Sequence, residues 1–166
     1  VADRALGLEA FPTPGHAAHH VAYLDGDGTL YAGDCAGVRL PGASFVLPPL
    51  APPEVDLEAW EATLGEIERR APSRLALIHF GVFDDVQSHL ARLRDTMQRW
   101  GEWVAHGMDE PTFSAAAAGD VADSEPGRVD DYAAEVPFWH CYRGLERYWR
   151  KRREAAAAGE EPVRGS

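Results

Sequence analysis

Two cysteines, Cys35 and Cys141, are all that 166 residues provide. They form neither a disulfide framework nor a C-x-x-C pair, which argues against a cystine-stapled scaffold and favours a reducing cytoplasm. No apolar run approaches ~18 residues, so nothing reads as membrane-spanning. No signal-peptide pattern is visible. Positive charge is scarce: 16 Lys and Arg stand against 27 Asp and Glu, for a net charge of −11. A general nucleic-acid binder needs a basic face to neutralise phosphates, and that class is set aside. No G-x-S-x-G occurs, and Gly42-Ala43-Ser44-Phe45 is not that elbow, so a serine esterase of this type has no support. Internal repeats are absent as well.

What is present fits a globular chain with one core: 45% hydrophobic residues, 26% charged, five Trp. The few basic residues are clustered. Residues 143 to 153 hold six of them and one acid, a local +5 that leaves −16 elsewhere. Such a run reads first as a solvated helix face, and second as a contact to acidic surface on a partner or on the same chain. The chain begins with Val1, which fits a start inside a longer polypeptide as well as removal of an initiator Met.

The opening segment carries Leu6, Leu8 and Phe11 and is partly extended. Pro12 and Pro14 bracket a turn, with Gly15 allowing a tight backbone before His16. A hairpin follows: a strand over 20–24, the turn Asp25-Gly26-Asp27-Gly28, and a return strand over 29–33. Gly33 and Gly37 flank Asp34, so the chain should bend sharply there. Five prolines between 41 and 55 read as an irregular connection. Asp56 is placed to cap a helix whose Leu57, Trp60, Leu64 and Ile67 share a face, with Pro72 beyond its end. Leu75 to His79 has strand length. A second helix starts near Asp84 or Asp85, with Val86, Leu90, Leu93, Met97, Trp100 and Val104 as an apolar stripe and Gly107 at its stop. From Asp109 onward, helices joined by a loose connection are expected, the last opened by Pro137. The organisation read here is a unit over 1–108 and a helical extension over 109–166.

Three residues stand out for chemistry. His16 sits in a Gly-Pro turn, Asp34 follows a strand and a glycine, and His79 closes an apolar strand. Loops at strand ends are where functional groups collect. His and Asp together are ordinary ligands for zinc and similar divalent ions. Singly, each has a structural explanation as a turn or strand-end residue; the combination with Thr13-Pro14-Gly15-His16 is what carries the signal.

These residues, T-P-G-H-x-x-x-H over 13–20, G-D at 33–34 and a strand-terminal histidine at 79, resemble the second half of the metallo-β-lactamase fold, the superfamily that includes glyoxalase II-like hydrolases. The resemblance covers about 70 residues. It implies an α+β class: the second half of an αββα sandwich plus a helical C-terminal extension. It implies two divalent metal ions, zinc first, with iron or manganese as alternatives. His16 would bind the first metal, Asp34 would bridge both and serve as the catalytic carboxylate, and His79 would bind the second. A bridging hydroxide would attack an ester, thioester, amide or phosphoester of a small-molecule substrate.

The resemblance also implies an H-x-H-x-D-H cluster upstream. Only fifteen residues precede His16, and none is His. The expected partner is therefore the missing N-terminal half of the fold, from the same polypeptide or another chain, and this chain alone is expected to be inactive. His20 and His19 are read as supporting or substrate-facing residues, His20 at a position where the family often has a second histidine. Cys35 is a small buried residue or else a soft ligand or a contact to substrate, and Arg39 is a candidate contact for a substrate anion. His89, His106 and His140 are assigned no chemistry. The alternative function is a non-catalytic half-fold that binds a partner or forms a homo-oligomer, through the stripe of residues 86–104 or the aromatic segment 138–149.

Overall fold

A computed structural model describes residues 3–5 and 7–159, with side chains from residue 7 onward. Leu6 and the terminal residues 160–166 lie outside the described residues. Six strands form one sheet in chain order: β1 (Asp3–Ala5), β2 (Leu8–Pro12), β3 (Val21–Leu24), β4 (Thr29–Gly33), β5 (Arg74–Leu77) and β6 (Val82–Phe83). All neighbours are antiparallel except β4 and β5, which run parallel. A parallel pair requires a crossover, and α1 (Leu57–Arg70) supplies it. The pairing places Gly33 opposite Leu77.

α1 forms where the sequence placed it. The Asp56 carboxylate accepts from the amides of Glu58 and Ala59, satisfying two free donors of the first turn. The helix ends at Ala71 in the left-handed region (φ 49°), one residue before Pro72. Trp60, Leu64 and Ile67 are fully buried, facing the same core as Phe11, Ala22, Leu30, Ala32 and Leu75 of the sheet. α2 (Val86–Ala105) buries its whole apolar stripe inside this chain.

The proline-rich connection is part of the core. Val38, Val46, Leu47 and Leu50 are fully buried, and Val38 and Leu47 pair as an isolated bridge. The helical extension consists of α3 (Glu110–Ser124), α4 (Val129–Glu135) and α5 (Phe138–Ala157). The connection between α3 and α4 is short, and Trp100 Nε1 donates to Asp120 of α3 at 2.8 Å. Phe113 and Phe138 stack edge-on against Trp100, so the extension shares the cluster built by α2. The basic run of α5 is largely spent within the chain: Arg143 pairs with Glu110, Arg152 with Glu58, and Arg147 donates to the Pro53 carbonyl.

Among the described residues nothing covers the other face of the sheet. Successive cross-strand partners Ala10, Tyr23, Tyr31, Ala76 and Val82 form one row across β2 to β6. Tyr23, Tyr31 and Val82 are 44%, 48% and 59% exposed. Among the described residues, no helix is long and apolar enough to cross a membrane.

Candidate metal centre

Residues 13 to 20 make a compact turn between β2 and β3, closed by the Thr13 amide on the His20 carbonyl at 2.8 Å. The turn is docked on the start of α1. Thr63 Oγ1 donates to the Pro14 carbonyl at 2.6 Å, and the Asp56 amide donates to that of Gly15 at 2.9 Å. Gly15 lies against Trp60 so closely that a β-carbon would fall within the Trp60 side chain. His16 therefore leaves a backbone whose position is set by the helix beneath it.

His16, Asp34 and His79 come together. His16 Nε2 lies 3.9 Å from Asp34 Oδ2, and His79 Nε2 lies 3.2 Å from Asp34 Oδ1. The two imidazoles thus face the two oxygens of a single carboxylate. In His16 the remote nitrogen, Nδ1, is 2.8 Å from the Pro49 carbonyl oxygen. A carbonyl can only accept, so Nδ1 donates and Nε2 is the nitrogen turned to the carboxylate side. In His79 the Nδ1 atom lies 3.6 Å from Glu135 Oε2. His16, donating from one nitrogen to oxygen with the other turned to the site, has the arrangement that orients metal ligands, whereas the His79–Glu135 separation is longer than a hydrogen bond. His79 is not the last residue of β5. The strand ends at Leu77, because Phe80 (φ 71°) and Gly81 (φ 96°) turn the chain through the left-handed region back into β6, leaving His79 in the connecting turn.

Asp34 is held from several sides. Its amide donates to His20 Nε2 at 3.1 Å, and His20 Nδ1 lies 2.6 Å from Thr13 Oγ1. Accepting on Nε2 assigns the proton of a neutral His20 to Nδ1. Burial, the largest influence, pushes the pKa of His20 below its ordinary value; Asp34 opposes this, and His16 and His19 reinforce it. The lone pair of His20 is spent on the Asp34 backbone. Gly33 lies against the same ring, and a β-carbon there would sit 2.6 Å from His20 Nε2. The next two carbonyls are pinned from below: Trp60 Nε1 donates to Cys35 O at 2.7 Å, and His89 Nε2 donates to Ala36 O at 2.7 Å.

The remaining candidates lie elsewhere. His19 is highly exposed and 3.6 Å from Glu54. Cys35 is fully buried, its thiol on the Ala32 carbonyl, and burial raises its pKa to about 12. Arg39 is buried, with Nε on the Ala43 carbonyl, NH1 on Asp85 at 2.6 Å, and the guanidinium over the Phe83 ring. Sequence reasoning missed the Pro49 carbonyl, Glu135, Trp60 and His89 as supports. Trp60 and His89 carried a signal, since each falls on the buried stripe of its helix.

The donor set fits a two-metal site in part. Each imidazole with one carboxylate oxygen supplies two ligands to a position, whereas a zinc site uses about four. Among the described residues, no three His, Cys, Asp or Glu side chains form a group that could hold a metal ion alone.

Compared with known proteins, the sequence matches no family model and no curated protein. Solved structures do match. A metallo-beta-lactamase family protein of Thermus thermophilus is 21% identical with a TM-score of 0.56, over 87% of this chain and 44% of that one. An archaeal metallo-beta-lactamase superfamily protein of Sulfolobus tokodaii is 22% identical with a TM-score of 0.53, over 83% of this chain and 45% of that one. The fold is that of part of a metallo-beta-lactamase protein, an α+β arrangement of sheet and helices. The chain spans less than half the length of these two proteins.

Proposed function

We propose that this chain carries one part of a two-metal hydrolytic centre, with His16 and His79 as end ligands and Asp34 as the bridge. The observation that carries this reading is the alignment of two imidazole Nε2 atoms on the two oxygens of one carboxylate. Two divalent cations, zinc first and iron or manganese as alternatives, would supply Lewis acidity and a water activated at neutral pH. Asp34 suits the bridge because its two oxygens face different directions and its charge offsets two cations. The neutral imidazoles bind without adding charge. Pro49 and His20 act on orientation: the first keeps the His16 lone pair free, the second fixes the backbone from which Asp34 extends. The substrate class is an ester, thioester, amide or phosphoester.

The remaining ligands come, in this reading, from a second half of the fold that covers the row of Tyr23, Tyr31 and Val82. A set of exposed apolar side chains crossing most of a sheet is the surface expected against another layer. A non-catalytic module would also use that face, but it gives no reason for the aligned histidines. The test is metal content and hydrolysis by a protein carrying both halves. The expected result is about two metals per chain, with Asp34→Ala removing activity and most of the second metal. A folded two-half protein that binds no divalent metal would sink the proposal.

A further inference from the structure

Glu135 is the last residue of α4, and its carboxylate faces the back of the His79 ring. Among the described residues no Lys or Arg pairs with it; the nearby Arg128 pairs with Asp131 instead. His79 is thus flanked by two carboxylates, Glu135 on Nδ1 at 3.6 Å and Asp34 on Nε2 at 3.2 Å. The tip that carries His79 is short, exposed and turned by two left-handed residues, so its ring has little packing of its own to hold it. Beyond Glu135 the chain turns directly into α5. There the Cys141 thiol lies 3.6 Å from the Pro48 carbonyl, and Gly144 packs on the Leu50 backbone. Pro49, between those two contacts, carries the carbonyl that holds His16. One corner of the extension therefore reaches the supports of both end histidines.

We propose that Glu135 is a positioning residue for His79. Its carboxylate, 3.6 Å from Nδ1, closes to accept the Nδ1 proton when a cation is held on Nε2, which fixes the ring with Nε2 directed at the Asp34 side. The helical extension is then a working part of the centre, although it holds no ligand itself. This inference rests on the reading of His79 as a ligand.

The test compares wild type, Glu135→Ala and Glu135→Gln in the full-length protein, with cobalt(II) as the metal probe. Titration followed by the cobalt d–d spectrum should show one of two sites weakened by about 10–100-fold in Glu135→Ala, with an altered spectrum. Glu135→Gln should recover most of the affinity, because its amide oxygen can still accept from Nδ1. Glu110→Ala, which removes a different carboxylate of the extension, should leave both sites unchanged. The second readout needs no metal: proton–nitrogen-15 NMR should show a His79 Nδ1–H protected from exchange in wild type and exchange-broadened in Glu135→Ala. Unchanged cobalt affinity together with an unchanged Nδ1–H signal would overturn the role of Glu135. If wild type binds no cobalt, the hydrolase reading falls, and the NMR comparison still decides Glu135 for or against. Should Glu135→Ala fail to fold, the comparison passes to Glu135→Gln and a Glu135→Lys variant, which must abolish the protected Nδ1–H signal.

Discussion

Gly144 in the middle of α5 lies where no side chain fits. A β-carbon built there would stand 1.9 Å from the Leu50 carbonyl oxygen, 2.9 Å from the Leu50 carbonyl carbon and 3.2 Å from that of Ala51. Comfortable contacts begin near 3.5 Å, so helix and loop would have to separate by about 1.5 Å. The obstacle is main chain, so no rotamer change relieves it. Two effects compete in Gly144→Ala. Helix propensity favours alanine by about 1 kcal/mol. Overpacking costs about 1–3 kcal/mol and more where the backbone must move. The clash should win by about 2 kcal/mol, which at this chain length lowers Tm by about 4–8 °C. The internal control is Gly65→Ala in α1, where nothing lies within 4 Å of the new carbon. That variant should gain up to about 1 kcal/mol. Thermal unfolding followed by circular dichroism at 222 nm reads both. If Gly144→Ala is as stable as Gly65→Ala, α5 does not sit on residues 50 and 51 as described.

Two further outcomes follow from buried side chains. Burial, the largest influence on His89, lowers its pKa to about 4, with Arg39 and Arg92 adding to that against the Ala36 carbonyl and Asp85. The folded state therefore keeps it neutral, while the unfolded chain takes a proton near 6.5. Its contribution is fully present above pH 6.5 and is lost as pH falls toward 4, about 3 kcal/mol in all. Urea unfolding at pH 7 and pH 4.5 should show a markedly smaller loss for His89→Gln than for wild type, and equal losses would refute the assignment. Trp60→Phe removes the donor to the Cys35 carbonyl and leaves a buried acceptor unpaired, at a cost of about 1–3 kcal/mol measured by chemical denaturation; a neutral substitution would mean that this bond does not hold the Asp34 loop.

Much of this architecture was legible because it is written in local patterns. The cap at Asp56, the stripe from Val86 to Val104 and the turn at Asp25–Gly28 each depend on residues a few positions apart, and each appears where the periodicity or turn chemistry placed it. His16, Asp34 and His79 were found through their order along the chain. Their supports were not. The Pro49 carbonyl is a backbone atom, and any residue supplies one. Glu135 meets His79 only through the path of three helices, and no local pattern singles it out among many surface carboxylates. The proline-rich stretch is irregular as its sequence indicates, but prolines and glycines do not say whether such backbone lies inside.

The parallel pairing of β4 with β5 acts as a ruler. Gly33 and Leu77 lie side by side, and Asp34 and His79 leave the sheet just beyond them at the same end. Their separation is therefore set first by the gap between hydrogen-bonded strands, about 4.8 Å, which no side-chain substitution alters. Drift elsewhere in the sheet carries both groups together. What can change the gap is an insertion or deletion before either residue, since a slip of one position in β5 turns its side chains to the opposite face. Such a chain should accept wide variation in residue type along these strands and almost none in their length.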